Sequence, residues 1–448
     1  MRNLIKRGAS VLALASICAG SAAAQLGSYN PPAGPQGTYV IKNAKIFPMT
    51  GPMIANGTVV ISGGKIQAVG ANVAAPAGAQ VIDASGLSVY PGMMDAGTSL
   101  GLSEIPEGAR STVDVSEVGS FNPNVQAIYA INPHSAHVGV TRVVGITHVV
   151  SRPSGGVLSG QAALINLIGS TPPQMTINPR IAMVAELPRS GFGGRGRGGQ
   201  AAAQTAANTQ DITSATQRQL DSLRQMLRDA VAYGNAQDAY AKDKTLPRPK
   251  SDVVLASLVA ATRGQQPIML LADRAADIRA AVTFAAEMHL KPIIVGGRDA
   301  WQIAPFLKEK NVPVLMTGVM QLPSREDDPY DVNYSAPGKL AAAGVKFAIT
   351  SGDEGSSVRN LPYVAGMAAA FGLSKDDALK SVTLWPAQIF GVGDKLGSLE
   401  AGKMANLVVT DGDLLEARTN TKFLFIDGRP VPLDTKHTAL YTEFKDRH

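Results

Sequence analysis

Asp353 closes the segment Ser351-Gly352-Asp353, directly after the apolar run Phe347–Thr350. A carboxylate at the end of a buried strand is well placed to take a proton from an attacking water, the work of a general base. It can equally brace the glycine-containing turn. Further polar side chains follow other strand candidates in the same way: Glu186, Asp273 with Arg274, Arg298 with Asp299, and the run Ser324-Arg325-Glu326-Asp327-Asp328. Glu104, Glu107, Asp114 and Glu117 gather after the first such strand. They suit a hard cation or a cationic substrate, or simply a solvated acidic loop. The six histidines are scattered. His134 and His137 stand three apart on an expected helix, where side chains share a face. His148 follows Gly145-Ile146-Thr147 and is expected to reach toward the same end as Asp353, although a lone histidine is more often a hydrogen-bonded structural residue. Cys18 is the only cysteine, so the rest of the chain has no disulfide and no thiolate.

The elements that must hold these residues belong to a chain of 448 residues, 45% hydrophobic and 17% charged. That composition supports a large core and excludes a mainly disordered or coiled-coil protein. The formal net charge is +6, and Arg2, Lys6 and Arg7 supply half of it. No basic run follows, so a nucleic-acid partner is not implied. Those three cations precede the apolar run Val11–Ile17 and the small residues Ala22-Ala23-Ala24. This is the layout of an export signal over 1–24 with the mature chain starting at Gln25. Ile17 before Cys18 argues against a lipid-attachment site. The expected location is outside the cytoplasm, periplasmic in a Gram-negative cell and otherwise secreted. No later stretch of 18 unbroken apolar residues spans a membrane.

Residues 25–92 read as short strands with tight turns, among them Thr38–Ile41, Val59–Ser62 and Lys65–Val69, the last two joined by Gly63-Gly64. A double glycine between such segments is a hairpin signal. From Met93 to about 395, strands alternate with helices. Eight strands are expected: Met93–Asp95, Val143–Val150, Ala163–Leu167, Ile181–Ala185, Ile268–Ala272, Pro292–Val295, Val314–Met316 and Phe347–Thr350. Eight is the number of a TIM-type (β/α)8 barrel, whose C-terminal strand ends carry chemistry. Helices are expected near 211–242, with Leu220, Leu223, Leu227, Ala230 and Val231 on one face, and over 274–289, 299–310 and onward from Ser374 as a cap. Residues 191–210 form a low-complexity Gly/Arg and Ala/Gln loop. Residues 396–448 return to β and are expected to pair with 25–92 in one small β domain.

Several segments resemble the amidohydrolase superfamily, in its exported imidazolonepropionase-like and prolidase-like branch. They are Val81–Gly86 with Tyr90-Pro91-Gly92-Met93-Met94-Asp95, the Gly-Val-Thr type segments at 139–141 and 145–147, Ser351-Gly352-Asp353, and Leu396–Val409. The resemblance implies an α/β barrel with a small β domain, and one or two divalent metals such as zinc at the mouth. Such metals acidify a water and polarise the scissile carbonyl. The implied ligands are a His-x-His after strand one, an acidic residue or carboxylated lysine on strand four, histidines on strands five and six, and an aspartate on strand eight. Here Ala96 and Thr98 stand at the His-x-His, and no lysine occurs from Ile66 to Ala241. Leu271 and Ala272 stand on strand five, and strand six carries no histidine. Asp353 remains in place as metal ligand, with Glu186 as an acidic candidate. Imidazole-poor sites hold borderline metals weakly.

The resulting reading is an exported hydrolase of carbon–nitrogen bonds in amides, small peptides or cyclic amides, with a degenerate or single-metal site or none. Asp353 is the leading catalytic candidate, with Glu186, Glu104, His148 and Asp273 as contributors. The alternative is an inactive barrel of the same family that binds or scaffolds. The expected partner is a small molecule or peptide, and a homo-oligomer is left open.

Overall fold

The computed structural model describes residues 30–104, 112–188 and 207–447. The export signal with Cys18, Glu107 and most of the low-complexity segment lie outside the described residues. Two eight-stranded sheets organise the rest.

The first sheet draws on both ends of the chain. It contains β1 (Tyr39–Ile46), β2 (Ile54–Ser62), β3 (Lys65–Gly70), β4 (Gln80–Asp83) and β5 (Ser88–Pro91). The strands that follow the barrel and complete this sheet are β14 (Leu407–Thr410), β15 (Thr421–Ile426) and β16 (Arg429–Pro430). Their order is β16-β15-β14-β5-β1-β2-β3, with β4 beside β1. Gly63 and Gly64 turn the β2–β3 hairpin at φ +58° and +78°. Two consecutive positive φ values define the turn whose twist matches antiparallel strands, which is why glycine stands at both positions. The β14–β5 ladder joins the two ends of the chain.

The second sheet is the barrel. Its strands are β6 (Met93–Thr98), β7 (Ile146–Ser151), β8 (Leu158–Asn166), β9 (Thr176–Ala185), β10 (Ile268–Ala272), β11 (Pro292–Gly296), β12 (Val314–Met316) and β13 (Phe347–Ile349), side by side in sequence order. All eight expected strands form. One departs from the expected alternation with helices: β8 is antiparallel to both β7 and β9. The connections on its two sides are a short loop and a turn with one helical turn at Pro172–Met175, so no crossover helix is needed there. Met94, Val150, Leu164, Met269, Leu315 and Ala348 come from six different strands and share one buried cluster, the barrel interior. Alternate strand positions face outward into a larger cluster shared with the helices.

The helices fall close to their expected places, at Ala207–Lys242, Ala275–Glu287 and Lys375–Ser381. The Ser374 hydroxyl caps the last by accepting from Asp377 N–H at 3.1 Å. On the long helix Leu223, Leu227 and Ala230 are buried, but Val231 is exposed and lies off the packed face. The stretch 299–310 divides into a 3-10 turn, Ala300–Ile303, and a short helix, Ala304–Glu309. No helix among the described residues is long and apolar enough to cross a membrane.

Gly92 links the two sheets. Its N–H donates to Asn406 carbonyl at 2.9 Å, and a Cβ there would lie 2.2 Å from Thr147 Oγ1. Gly92→Ala is expected to lower the unfolding free energy by about 1–3 kcal/mol, the usual cost of overpacking. Urea denaturation checks this, and an unchanged midpoint would show that Thr147 gives way freely.

Candidate active site

Seven of the eight barrel strands run in one direction, so their C-terminal ends share one rim. Strands β6 and β13 stand at the two ends of the sheet order, and the barrel closes between them. Asp95 spans that seam. The Ser351 hydroxyl and backbone N–H donate to Asp95 Oδ2 at 2.5 and 3.0 Å, and Gly97 N–H donates to Oδ1 at 3.1 Å. Above it, Ser99 N–H donates to Asp353 carbonyl at 3.2 Å, and Gly355 N–H to Ser99 Oγ at 3.2 Å.

Arg152 follows β7 and enters the same place. Its N–H donates to Thr98 carbonyl at 2.9 Å, which extends the pairing with β6. Its guanidinium donates to Asp353 Oδ1 as an ion pair. The arginine side chain is 3% exposed and the aspartate 72%. A buried cation with a solvent-facing carboxylate is thus the charged feature of the rim. Arg152 was not singled out in the sequence. The signal available was a lone cation immediately after a barrel strand, where the opposing strand lacked its expected imidazoles.

The burial of Asp95 has an electrostatic consequence. Desolvation pushes its carboxyl up to about 6, although the Ser351 and Gly97 hydrogen bonds and the Arg152 charge pull it down. Asp95 therefore titrates in a range where an exposed aspartate is fully ionised.

The other candidates occupy separate places. His148 is fully buried and does not reach the mouth. It pairs across the ladder with Asn166 at the far end of β8. Its Nδ1 lies 2.7 Å from Thr147 Oγ1 and 3.4 Å from Asn406 Nδ2, next to the small sheet. Burial lowers its pKa to about 3, so it is neutral and structural. Glu104 is tied to the helix Ala136–Arg142: Oε2 accepts from Ala136 N–H at 3.3 Å and Oε1 from Asn132 at 3.4 Å. His137 Nε2 lies 3.0 Å from Glu104 carbonyl. His134 precedes the helix, so the two histidines do not share a helical face. Asp114 and Glu117 are exposed. Asp273 faces Arg298 at 3.7 Å, and the buried Asp299 pairs with Arg325 at 2.5 Å. These pairs lace the loops after β10, β11 and β12 along the rim. Glu186 follows β9 at this end and is anchored by its N–H to Val157 carbonyl at 3.1 Å.

The residues at the mouth do not fit a divalent metal. Among the described residues no three His, Cys, Asp or Glu side chains gather into a metal-holding group. The β6–β7 register shifts between Asp95 and Thr98, and the Cβ position of Gly97 lies 3.4 Å from Arg152 Nε. Ala96 packs in the barrel interior, and Thr98 Oγ1 accepts from Leu100 N–H at 3.2 Å. The aspartate that the resemblance assigns to a metal, Asp353, is engaged by a guanidinium instead.

Comparison with known proteins defines the class. An amidohydrolase from Thermotoga maritima superposes with a TM-score of 0.76 at 24% identity, over 88% of this chain and 99% of that one. A prolidase solved with N-methylphosphonate-L-proline superposes at 0.55 and 18% identity, over 88% and 99%. The fold is that of the amidohydrolase TIM barrels. The amidohydrolase family model matches residues 271–432, from β10 through β16. An imidazolonepropionase from Mesorhizobium japonicum is 30% identical over 149 residues, 32% of this chain and 35% of that protein. The match thus spans about a third of the curated relative. Residues 271–432 thus match the amidohydrolase family, the superfamily that the sequence motifs resemble, and the solved structures share its fold.

The titration of Asp95 can be checked directly. Its folded pKa is raised, so its contribution to stability is full below about pH 4 and is lost as pH rises through about 6. The shift corresponds to roughly 3 kcal/mol. The stability of wild type relative to Asp95→Asn, from chemical denaturation, is expected to fall over that window and then level off. A difference that does not change from pH 4 to pH 7 would mean that Asp95 ionises normally.

Proposed function

We propose that the protein is a hydrolase of carbon–nitrogen bonds, acting on an amide, a small peptide or a cyclic amide at the barrel mouth. The observation that carries this reading is Asp353, a solvent-facing carboxylate at the end of β13, fixed against a buried arginine. In this reading a water bound at Asp353 attacks the carbonyl carbon as the carboxylate takes its proton. The C–N bond then breaks, and the proton passes to the leaving nitrogen. The seam bonds at Ser99 and Ser351 hold the loop that carries the base, which fixes the angle from which water approaches. Solved structures of the same fold include a prolidase and a Xaa-Pro dipeptidase, which supports a C–N substrate.

One observation favours a second reading, a barrel that binds without hydrolysing. Arg152 already engages the carboxylate that would act as base. Asp353→Asn separates the two. It keeps an oxygen for Arg152 but cannot take the proton. The rate on N-acyl amides, dipeptides and cyclic imides is expected to fall about 10²- to 10⁴-fold, with little change in the thermal melt because the residue is exposed. Equal rates on a substrate that wild type turns over would remove Asp353 as the base.

We also infer export. The layout of residues 1–24 supports cleavage before Gln25, with delivery to the periplasm in a Gram-negative cell or to the medium otherwise. N-terminal sequencing of exported protein is expected to begin at or near Gln25, and an intact Met1 in that material would refute the reading.

A further inference from the structure

We propose that Arg152 is the resident cation of this barrel: its guanidinium takes the place at the mouth that the family resemblance assigns to a divalent metal. This goes beyond the hydrolase reading, because it holds equally for a barrel that only binds.

Four observations meet at this side chain. It is 3% exposed, so the charge is carried inside the protein rather than in solvent. It lies on Gly97: a Cβ there would stand 3.4 Å from Arg152 Nε, 3.6 Å from its Cδ and 3.5 Å from Met269 Cε. A Cβ there would meet these atoms at ordinary contact, and the bulkier imidazole of a histidine, projecting beyond it, would compete with the arginine for the same volume. Asp353, the strand-eight aspartate, is bound to the guanidinium. Asp95 beneath it is buried and lies within the electrostatic reach of the same cation. One positive charge thus faces two carboxylates, as a metal would, but from a covalently fixed group that cannot dissociate. The guanidinium Nε–H is buried without a protein acceptor. Asp353 therefore does not use all of its donors.

The inference predicts mutual exclusion and indifference to metal, both readable without activity. Full-length wild type, titrated with zinc in a calorimeter after chelator treatment, is expected to show no saturable binding. Its melting temperature should be the same in zinc and in chelator. Gly97→His is expected to lower the melting temperature, and adding Arg152→Ala is expected to recover at least half of that loss by vacating the volume. Stoichiometric zinc binding by wild type would overturn the proposal, even if Gly97→His fails to fold. A Gly97→His penalty equal in both backgrounds would overturn it as well. Loss of hydrolysis in Asp353→Asn with zinc indifference intact would support both readings. Unchanged hydrolysis in that variant with zinc indifference intact would sink the choice of base alone.

Discussion

Strands β6 and β13 close the barrel without a shared ladder, and the Asp95 carboxylate bridges them. Everything at the mouth is referred to that bridge. Backbone ladders set the spacing of the other strands. At this seam two hydrogen bonds from Ser351 to one buried acid hold the spacing, and Gly97 on the acid's own strand satisfies its other oxygen. Removing such an acid from water is costly, which is why its ionisation is pushed upward. The cost is tolerated because the bonded oxygens are satisfied and a cation stands nearby. The loops above the seam inherit their position from it: Ser99 and Gly355 cross-link there, and Asp353 is delivered next to Arg152.

The charges inside the barrel end form a sequence of dependence rather than a set of separate pairs. Arg152 offsets Asp95 below and holds Asp353 above. Replacing one partner changes the desolvation balance of the others, so substitutions among these three residues should not be additive. The polar residues farther round the rim behave differently. The Asp273–Arg298 and Asp299–Arg325 pairs tie neighbouring loops together and sit partly in solvent, where an ion pair contributes little by itself. They shape the entrance more than they alter its chemistry.

Much of this was legible in the residues. Strand positions follow from short apolar runs, the hairpin from Gly63-Gly64, and the Ser374 cap from its hydroxyl before a helical run. Asp353 was legible because it ends an apolar strand at a glycine. What escaped has physical causes. The direction of β8 is not written in periodicity, since parallel and antiparallel strands share the same two-residue alternation. How far His148 reaches along β7 depends on its register with β6, a tertiary quantity. Nothing in the sequence marks Arg152, because a single arginine after a strand usually lies in solvent. The glycine at position 97 packs directly against this buried guanidinium.

The reversed strand also bears on how the arginine comes to be held. Strands β7, β8 and β9 form an up-and-down meander of neighbours in sequence, while the later parallel strands are joined through helices. Closing short loops costs less chain entropy than closing long crossovers. The stretch from Ile146 to Ala185 is therefore the part of the barrel wall that can assemble from the most local contacts. Arg152 sits in the short loop between β7 and β8, where Ser154 N–H donates to Val115 carbonyl at 2.7 Å. Its backbone is held by Thr98 and its loop by Val115, whereas Asp353 stands some two hundred residues later in the chain. The cation thus belongs to the barrel wall, and the carboxylate to the solvent-facing loop that meets it.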